Sequence, residues 1–305
     1  MNYAELLLPD FSLILAGYLV CRYTALGRPV WQSVEALVYY LLFPVLLFHS
    51  IAKTPIRVGE MSTLMAAGLL LTAGGIALAQ LLPRLPGLAR HVDARDHAGA
   101  AQVAFRFNTF IALALAGRVA GDQGLQLIAV LVGVCVPLAN VAAVWPMARH
   151  SEQHLLRELA RNPLILATLS GLAFNLAGLS LPDWAQSPVT RIGAASIALG
   201  LMATGAGLQW GALLERGRLL TTLLLAIRHL LLPLWAWVLA RALGLDEVQR
   251  NVLLAFSALP TASSCYVLAV RMGYNGPYVA GLITLSTLLA LASLPFALGI
   301  LQSIR

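Results

Sequence analysis

The most informative feature of this 305-residue sequence is how little charge it contains. Asp, Glu, Lys and Arg together make up 11% of the residues, while hydrophobic residues make up 59%. Soluble domains typically contain about 25% charged residues. Water cannot solvate a compact chain of this length with so few charges, which excludes a cytosolic enzyme and a nucleic-acid-binding protein. Intrinsic disorder is excluded as well, because disordered chains are poor in apolar residues.

Cysteines and catalytic motifs are also scarce. The three cysteines, Cys21, Cys135 and Cys265, lie singly in or beside apolar runs, so neither a disulfide framework nor a metal site is predicted. The sequence has no HExxH, GxSxG or P-loop motif, so we expect neither an enzyme nor a bound cofactor. A cleaved signal peptide begins with a basic segment, whereas here the acidic residues Glu5 and Asp10 flank the first apolar stretch. We therefore expect this stretch to be retained as the first helix.

Long apolar runs fill most of the chain. A helix that crosses a bilayer needs about 20 mostly apolar residues. The net charge of +7 comes from Lys and Arg residues that lie singly between these runs, so it forms no patch for nucleic acid. The sequence therefore predicts an all-α polytopic protein embedded in a lipid bilayer. The ten predicted spans are 5–26, 31–52, 60–82, 98–117, 124–147, 163–181, 187–210, 219–243, 248–270 and 277–302.

The short loops predict an orientation. Connections that follow odd-numbered spans contain the larger share of Lys and Arg. Because such loops stay in the cytoplasm, both termini are expected outside and the connection 149–162 inside. The sequence thus predicts a multi-pass protein of the cell (inner) membrane.

The two halves of the chain resemble each other at an offset of about 153 residues. Pro9 corresponds to Pro163, Gly17 to Gly171, and the segment 118–122 to 271–275. We interpret residues 1–148 and 163–305 as two five-span repeats joined by the loop 149–162. Because five is odd, the second repeat enters the membrane from the opposite face, an architecture common among secondary transporters.

Spans four and nine are the unusually polar pair at equivalent positions. Span four contains Arg106, Asn108 and Thr109, while span nine contains Pro260 and Thr261, followed by Ser263 and Ser264. A mid-helix proline frees backbone carbonyls, and in lipid these must be satisfied by neighbours or line a wet cavity. The polar residues after Pro260 would form the N-terminus of a half-helix, which favours an anion.

These residues resemble the auxin efflux carrier family of permeases. The resemblance is carried by Arg106-Phe-Asn108-Thr109, by the segment from Ala258-Leu-Pro260-Thr261 to Tyr274, and by Arg161-Asn162-Pro163. It implies a fold similar to that of the bile-acid sodium symporters, with a scaffold and a crossing pair of broken helices. Bacterial members are associated with small carboxylates such as malate and malonate, and plant members export auxin.

The resemblance also implies roles for particular residues. Asn108 would lie at the helix crossing and bond the substrate carboxylate, with Thr261 and its neighbours opposite. Plant members carry a proline seven residues after this Asn, where the present chain has Leu115. The resemblance implies that spans four and nine are crossing discontinuous helices, and the alternative raised by Leu115 is that span four bends rather than breaks. The predicted substrate-binding residues are Arg106, Asn108, Thr109, Pro260, Thr261, Ser263 and Ser264, with no metal ligands.

Other polar residues inside the spans have alternative interpretations. Arg106 either neutralises the substrate carboxylate or locks helices by contacting carbonyls or a polar group such as Glu35. Arg228 and His229 are interpreted as lying near the interface, where long side chains reach the polar layer. Gly205-Ala-Gly207 is interpreted as a site of close helix packing.

The leading hypothesis is a secondary transporter that exports a small organic anion by alternating access. The alternatives are a sodium- or proton-coupled importer of the bile-acid symporter type and a non-transporting membrane receptor or sensor. No acidic cluster points to a coupling ion, although Na⁺ or H⁺ coupling stays open. The sequence leaves substrate identity, direction and a homodimer open.

Overall fold

The computed structural model describes residues 3–53, 58–85, 92–148, 163–208, 218–262 and 264–301, and these residues form helices and no strands. The loop predicted over 149–162, Ser263, and Arg161 and Asn162 of the family-like motif lie outside the described residues. The helices are α1 Tyr3–Tyr23, α2 Arg28–Leu37, α3 Phe43–Lys53, α4 Val58–Leu81, α5 Ala94–Ala100, α6 Thr109–Ala148, α7 Pro163–Leu176, α8 Asp183–Ala206, α9 Arg218–Ala226, α10 Leu232–Ala242, α11 Glu247–Ala258, α12 Ser264–Arg271 and α13 Gly276–Pro295.

Within the described residues, six helical stretches are long and apolar enough to cross a membrane. The longest, Ala94–Met147, contains two of the predicted spans. Three further predicted spans correspond to α1, α7 and the pair α11–α12, which are not among these six stretches. The helical, multi-pass character is thus confirmed, whereas a count of ten spans stays a prediction.

Two spans contain a wider, π-helical turn that ends two positions before a proline. Val38–Leu42 lies between α2 and α3 and precedes Pro44, and Ile227–Leu231 lies between α9 and α10 and precedes Pro233. Proline cannot donate a backbone hydrogen bond, and its ring crowds the preceding turn. The backbone accommodates this by widening one turn, so each helix pair continues as one stretch.

The chain divides into two units, and each draws on both halves of the sequence. Unit one comprises Met1–Met65, Thr109–Val134 and Leu156–Gly207. In it, α1 packs against α8, and α3 packs against α7 and α8. Edge-to-face pairs of Phe43 with Phe110 and of Phe48 with Phe174 join α3 to α6 and α3 to α7, with ring centroids 5.0 and 5.4 Å apart.

Unit two comprises Ala66–Asn108, Cys135–Leu155 and Leu208–Arg305. In it, α11 packs against α10 and α12 against α13. Polar contacts join distant segments: the Trp235 indole donates to the Leu70 carbonyl at 3.3 Å, and His97 contacts the Ala79 carbonyl at 2.8 Å. This unit contains the breaks in spans four and nine.

Glycines allow α1 and α8 to come into backbone contact, as the sequence predicted for Gly205. A methyl group at Gly205 would overlap the Ile14 carbonyl oxygen, and one at Gly17 would overlap that of Met202. Small residues permit such close approach between membrane helices. Because the contact lies between main chains, no side-chain rotation can remove the overlap that a larger residue would cause.

We therefore expect Gly205→Ala to lower the melting temperature of the purified protein. The strain of separating two packed backbones costs about 1–3 kcal/mol. This outweighs the gain in helix propensity of about 1 kcal/mol. Gly193→Ala in the same helix is the matched control, because the nearest atom to its methyl group would be the movable end of the Leu46 side chain, at 3.0 Å, and the Leu46 backbone would lie at an ordinary contact distance of 3.7 Å. Equal melting temperatures for the two variants would contradict the packing.

Candidate functional site

Span four is broken where Arg106 and Asn108 lie. After α5, a short 3-10 helix ends at Ala104, and α6 begins at Thr109. Phe105 leaves the helical conformation, and residues 106–108 have no regular structure. Span four is therefore discontinuous even without a proline at position 115, and the alternative of a bend is wrong. A second interruption lies at Ala120–Gly121, where Gly121 has a φ of 56°.

Span nine breaks at the predicted proline. Helix α11 ends at Ala258, Leu259 is extended at φ −58° and ψ 148°, and α12 begins at Ser264. Pro260 has no N–H to continue the helix, and a residue before proline avoids the helical conformation. The prediction of a discontinuous span nine is thus confirmed.

The two breaks lie against each other within unit two. The backbone N–H of Asn108 donates to the carbonyl of Pro260 at 2.8 Å. Asn108 and Thr261 are both buried, with 2% and 0% of their surfaces exposed. Phe107 packs edge-to-face on Phe256, with centroids 4.3 Å apart. The structure therefore brings together the polar segments that the sequence singled out.

Arg106 links the two breaks through its side chain. Its guanidinium donates to the Gln102 Oε1 atom at 2.8 Å and to the Ser264 Oγ atom at 2.9 Å. The suggested contact with Glu35 is wrong, because Glu35 instead bonds Arg28 at 2.8 Å in unit one.

The Arg106 guanidinium carries charge without an acidic partner in the part of the chain that the structure describes. Among the described residues, the ion pairs are Arg28–Glu35 and Lys53–Asp122. Both partners of Arg106 are neutral, and Ser264 is the first residue of α12. A helix N-terminus carries a positive partial charge equivalent to about half an elementary charge. Two positive features thus meet at one place, which favours an anion.

Gln102 and Cys265 support this arrangement. The Gln102 amide donates to the carbonyls of Gly99 at 2.9 Å and Cys265 at 3.2 Å, which leaves its oxygen for Arg106. The Thr261 hydroxyl lies 3.6 Å from the Cys265 sulfur. Neither Gln102 nor Cys265 was among the predicted site residues. The spacing of Gln102 and Arg106, one helical turn, is the signal that could have indicated Gln102.

Arg228 and His229 are buried beneath the span-nine break rather than at the interface. They are 2% and 9% exposed, so their interpretation as interfacial residues is wrong. The Arg228 Nε atom donates to the Leu259 carbonyl at 2.6 Å, and its second contact is the Phe256 carbonyl at 3.4 Å. The carbonyls freed by the break give the Arg228 guanidinium hydrogen-bond partners inside the protein, so its side chain does not extend to the interface.

His229 connects the same break to two serines of α13. Its ring nitrogens lie 2.9 Å from the Ser293 Oγ atom and 2.8 Å from the Ser286 Oγ atom. The Ser293 hydroxyl donates to the Ala258 carbonyl, and the Ser286 oxygen accepts from the Thr261 N–H. A neutral imidazole protonated at Nδ1 therefore satisfies every group in this network. The signal in the sequence was the seven-residue spacing of the serines, which places them on one helix face.

The described residues contain no group of three or more His, Cys, Asp and Glu side chains that could hold a metal ion. Thr109 begins α6 directly after Asn108, and Ser263 lies outside the described residues. The chemistry of the site is thus that of hydrogen bonds, one partly buried guanidinium and the positive end of a half-helix.

Comparison with known proteins gives a family. A family model described as membrane transport protein matches residues 102–298, about two thirds of the chain. The match begins at Gln102 and includes both breaks. No match was found among curated proteins.

Proposed function

Because this chain belongs to the membrane transport protein family, that of the auxin efflux carriers, we propose that it moves a small organic anion by alternating access. Its membership of a transporter family makes it a membrane transporter rather than an enzyme. The proposed substrate is a carboxylate such as malate or malonate, or an auxin-like acid. The proposed location is the cell (inner) membrane, with both termini outside.

The observation that carries the proposal is the position of the Arg106 guanidinium. It is held by two neutral groups at the first residue of α12 and has no acidic partner among the described residues. A charge within a span is costly and marks a functional site unless it is compensated. A carboxylate would supply the missing negative charge and accept hydrogen bonds from the guanidinium.

The proposed site consists of Arg106, Asn108 and the start of α12, with Pro260 and Thr261 forming its wall. The N–H and hydroxyl of Thr261 already contact Ser286 and Cys265. We therefore assign Thr261 to shaping the break rather than to direct binding. Ser264 contacts Arg106 and would orient its guanidinium toward the substrate. Thr109 and Ser263 stay predictions of the sequence.

Two further observations support an inverted repeat. The breaks at 105–108 and 259–262 are about 154 positions apart, close to the offset of about 153 found in the sequence. In unit one, α1 packs against α8 and α3 packs against α7. In terms of predicted spans, one pairs with seven and two with six. Exchange of the repeats converts each pair into the other, as expected for an internal two-fold relation.

The membrane potential gives the proposed direction. An inside-negative potential favours export of an anion by about 2.3 kcal/mol per charge for each 100 mV. Export therefore needs no coupling ion. This distinguishes the proposal from a sodium- or proton-coupled importer, which must bind a cation with its substrate.

The test is uptake of radiolabelled malonate and malate by proteoliposomes that contain the purified protein. We expect saturable uptake that an inside-positive potential accelerates and an inside-negative one slows, without any Na⁺ or pH gradient. Protein-free liposomes are the control. A requirement for Na⁺ or H⁺ would favour the coupled importer. A carboxylate that raises the melting temperature but never crosses the vesicle wall would favour a receptor.

A further inference from the structure

The break in span nine frees backbone carbonyls in the interior of unit two. Helix α11 ends at Ala258 because Pro260 follows, so the last carbonyls of α11 lack partners within the helix. Each unsatisfied polar group in a membrane interior costs several kcal/mol. These carbonyls must therefore bind a donor or a cation.

Protein groups satisfy four carbonyls at the break, two in the last turn of α11 and two directly after it. Arg228 donates to those of Phe256 and Leu259, at 3.4 and 2.6 Å. The Ala258 carbonyl accepts from the Ser293 hydroxyl at 3.0 Å, and the Pro260 carbonyl accepts from the Asn108 N–H at 2.8 Å.

The contacts of the Arg228 guanidinium are of the kind that a coupling ion makes in transporters with broken helices. In such transporters, unwound carbonyls and the C-terminal ends of half-helices coordinate Na⁺ or H⁺. Here α11 is the half-helix, and its C-terminal end faces Arg228. A cation is favourable at the negative end of a helix dipole. An arginine side chain keeps its single positive charge in proteins, so it supplies the same charge as one sodium ion.

We infer that Arg228 is a permanent, covalently attached replacement for a coupling cation at the span-nine break, and that it makes anion transport independent of Na⁺. The inference rests on the proposed function, because it concerns how the same crossing is kept ready for an anion. Arg228 acts through the backbone of residues 256–259 and does not contact the substrate, so it is a positioning residue.

Two substitutions separate charge from shape. Arg228→Lys keeps a cation that can donate to the carbonyls, whereas Arg228→Gln keeps donors but removes the charge. In proteoliposomes without Na⁺, with N-methylglucamine as the only external cation, we expect Arg228→Lys to retain most of the malonate uptake. We expect Arg228→Gln to lower it at least tenfold, and external Na⁺ to restore it severalfold. Wild-type uptake should be the same in both media.

A binding measurement tests the inference without transport. Removing the side chain in Arg228→Ala opens space beside the carbonyls, so Na⁺ should raise the melting temperature of this variant and leave that of the wild-type protein unchanged. A ligand that binds only the folded state stabilises it increasingly as the ligand concentration rises. N-methylglucamine, which is too large for the space, is the control cation.

Three results would overturn the inference. These are a wild-type uptake that requires Na⁺, an Arg228→Gln protein that is folded and as active as wild type without Na⁺, and an Arg228→Ala protein that is folded but indifferent to Na⁺. If the charge-removing variants do not fold, the malonate uptake of wild type and of Arg228→Lys is compared with and without Na⁺. Uptake that requires Na⁺ in either protein then overturns the inference. Transport of malonate that requires Na⁺ leaves the proposed substrate class intact, whereas absence of carboxylate transport under every gradient contradicts the proposed function alone.

Discussion

Replacement of Arg106 by Gln is expected to lower the affinity for a carboxylate substrate by about 10- to 150-fold, because a hydrogen bond to a charged group contributes roughly 1.5–3 kcal/mol. Glutamine retains donors for Ser264 but removes the charge at the start of α12. The measurement is the substrate concentration that gives half-maximal uptake into proteoliposomes, together with the melting temperature in a carboxylate titration.

The matched control is Arg241→Gln, which removes the same charge elsewhere in unit two. Arg241 lies over the Trp237 ring at 5.1 Å, in the last turn of α10. This variant should bind the carboxylate with unchanged affinity. If both variants lose affinity equally, the effect comes from overall charge. If Arg106→Gln binds the carboxylate with normal affinity, the role of Arg106 is only to lock spans four and nine together.

Asn108→Ala is expected to abolish measurable carboxylate binding while the protein still folds. The reason is that the backbone contact between Asn108 and Pro260 does not depend on the side chain, so the crossing survives the substitution. The lost amide removes a hydrogen bond to a charged group, worth about 1.5–3 kcal/mol. Thermal stabilisation by malonate, followed over its concentration, is the measurement.

Asn175→Ala provides the comparison for Asn108. The Asn175 amide donates to the Ala52 carbonyl at 3.3 Å in unit one, so its loss removes a contact between α7 and α3. We expect a lower melting temperature and normal carboxylate binding. Unchanged affinity in Asn108→Ala would remove Asn108 from the proposed site and leave it as a helix contact.

Local features of the sequence predicted much of the fold. Hydropathy indicated the helices because each must present about 20 apolar residues to lipid. Pro260 indicated the break in span nine because a missing N–H acts on its own turn. The break in span four has no such residue, and the sequence indicated only its polarity. Its backbone is instead stabilised by Pro260, a partner 152 positions away in the chain.

The partners of the buried charges are what the sequence could not predict. The sequence offered Glu35 as one alternative partner of Arg106 and assigned Arg228 to the interface, yet both arginines bond groups at the span-nine break. Hydropathy does not distinguish a helix face that contacts lipid from one that contacts protein, since both are apolar. The position of an arginine along a span therefore says that it needs a partner, but not which one.

The sequence by itself thus determined the membrane class, the approximate helices, the polar pair of spans and the family resemblance, because these depend on composition and on neighbours in the chain. Only the tertiary structure decided that the two breaks meet at Asn108 and Pro260, and that Arg106 has neutral partners while Arg228 satisfies freed carbonyls. The physical reason is that an unpaired polar group in a membrane interior is satisfied by whichever donor or acceptor helix packing brings within reach.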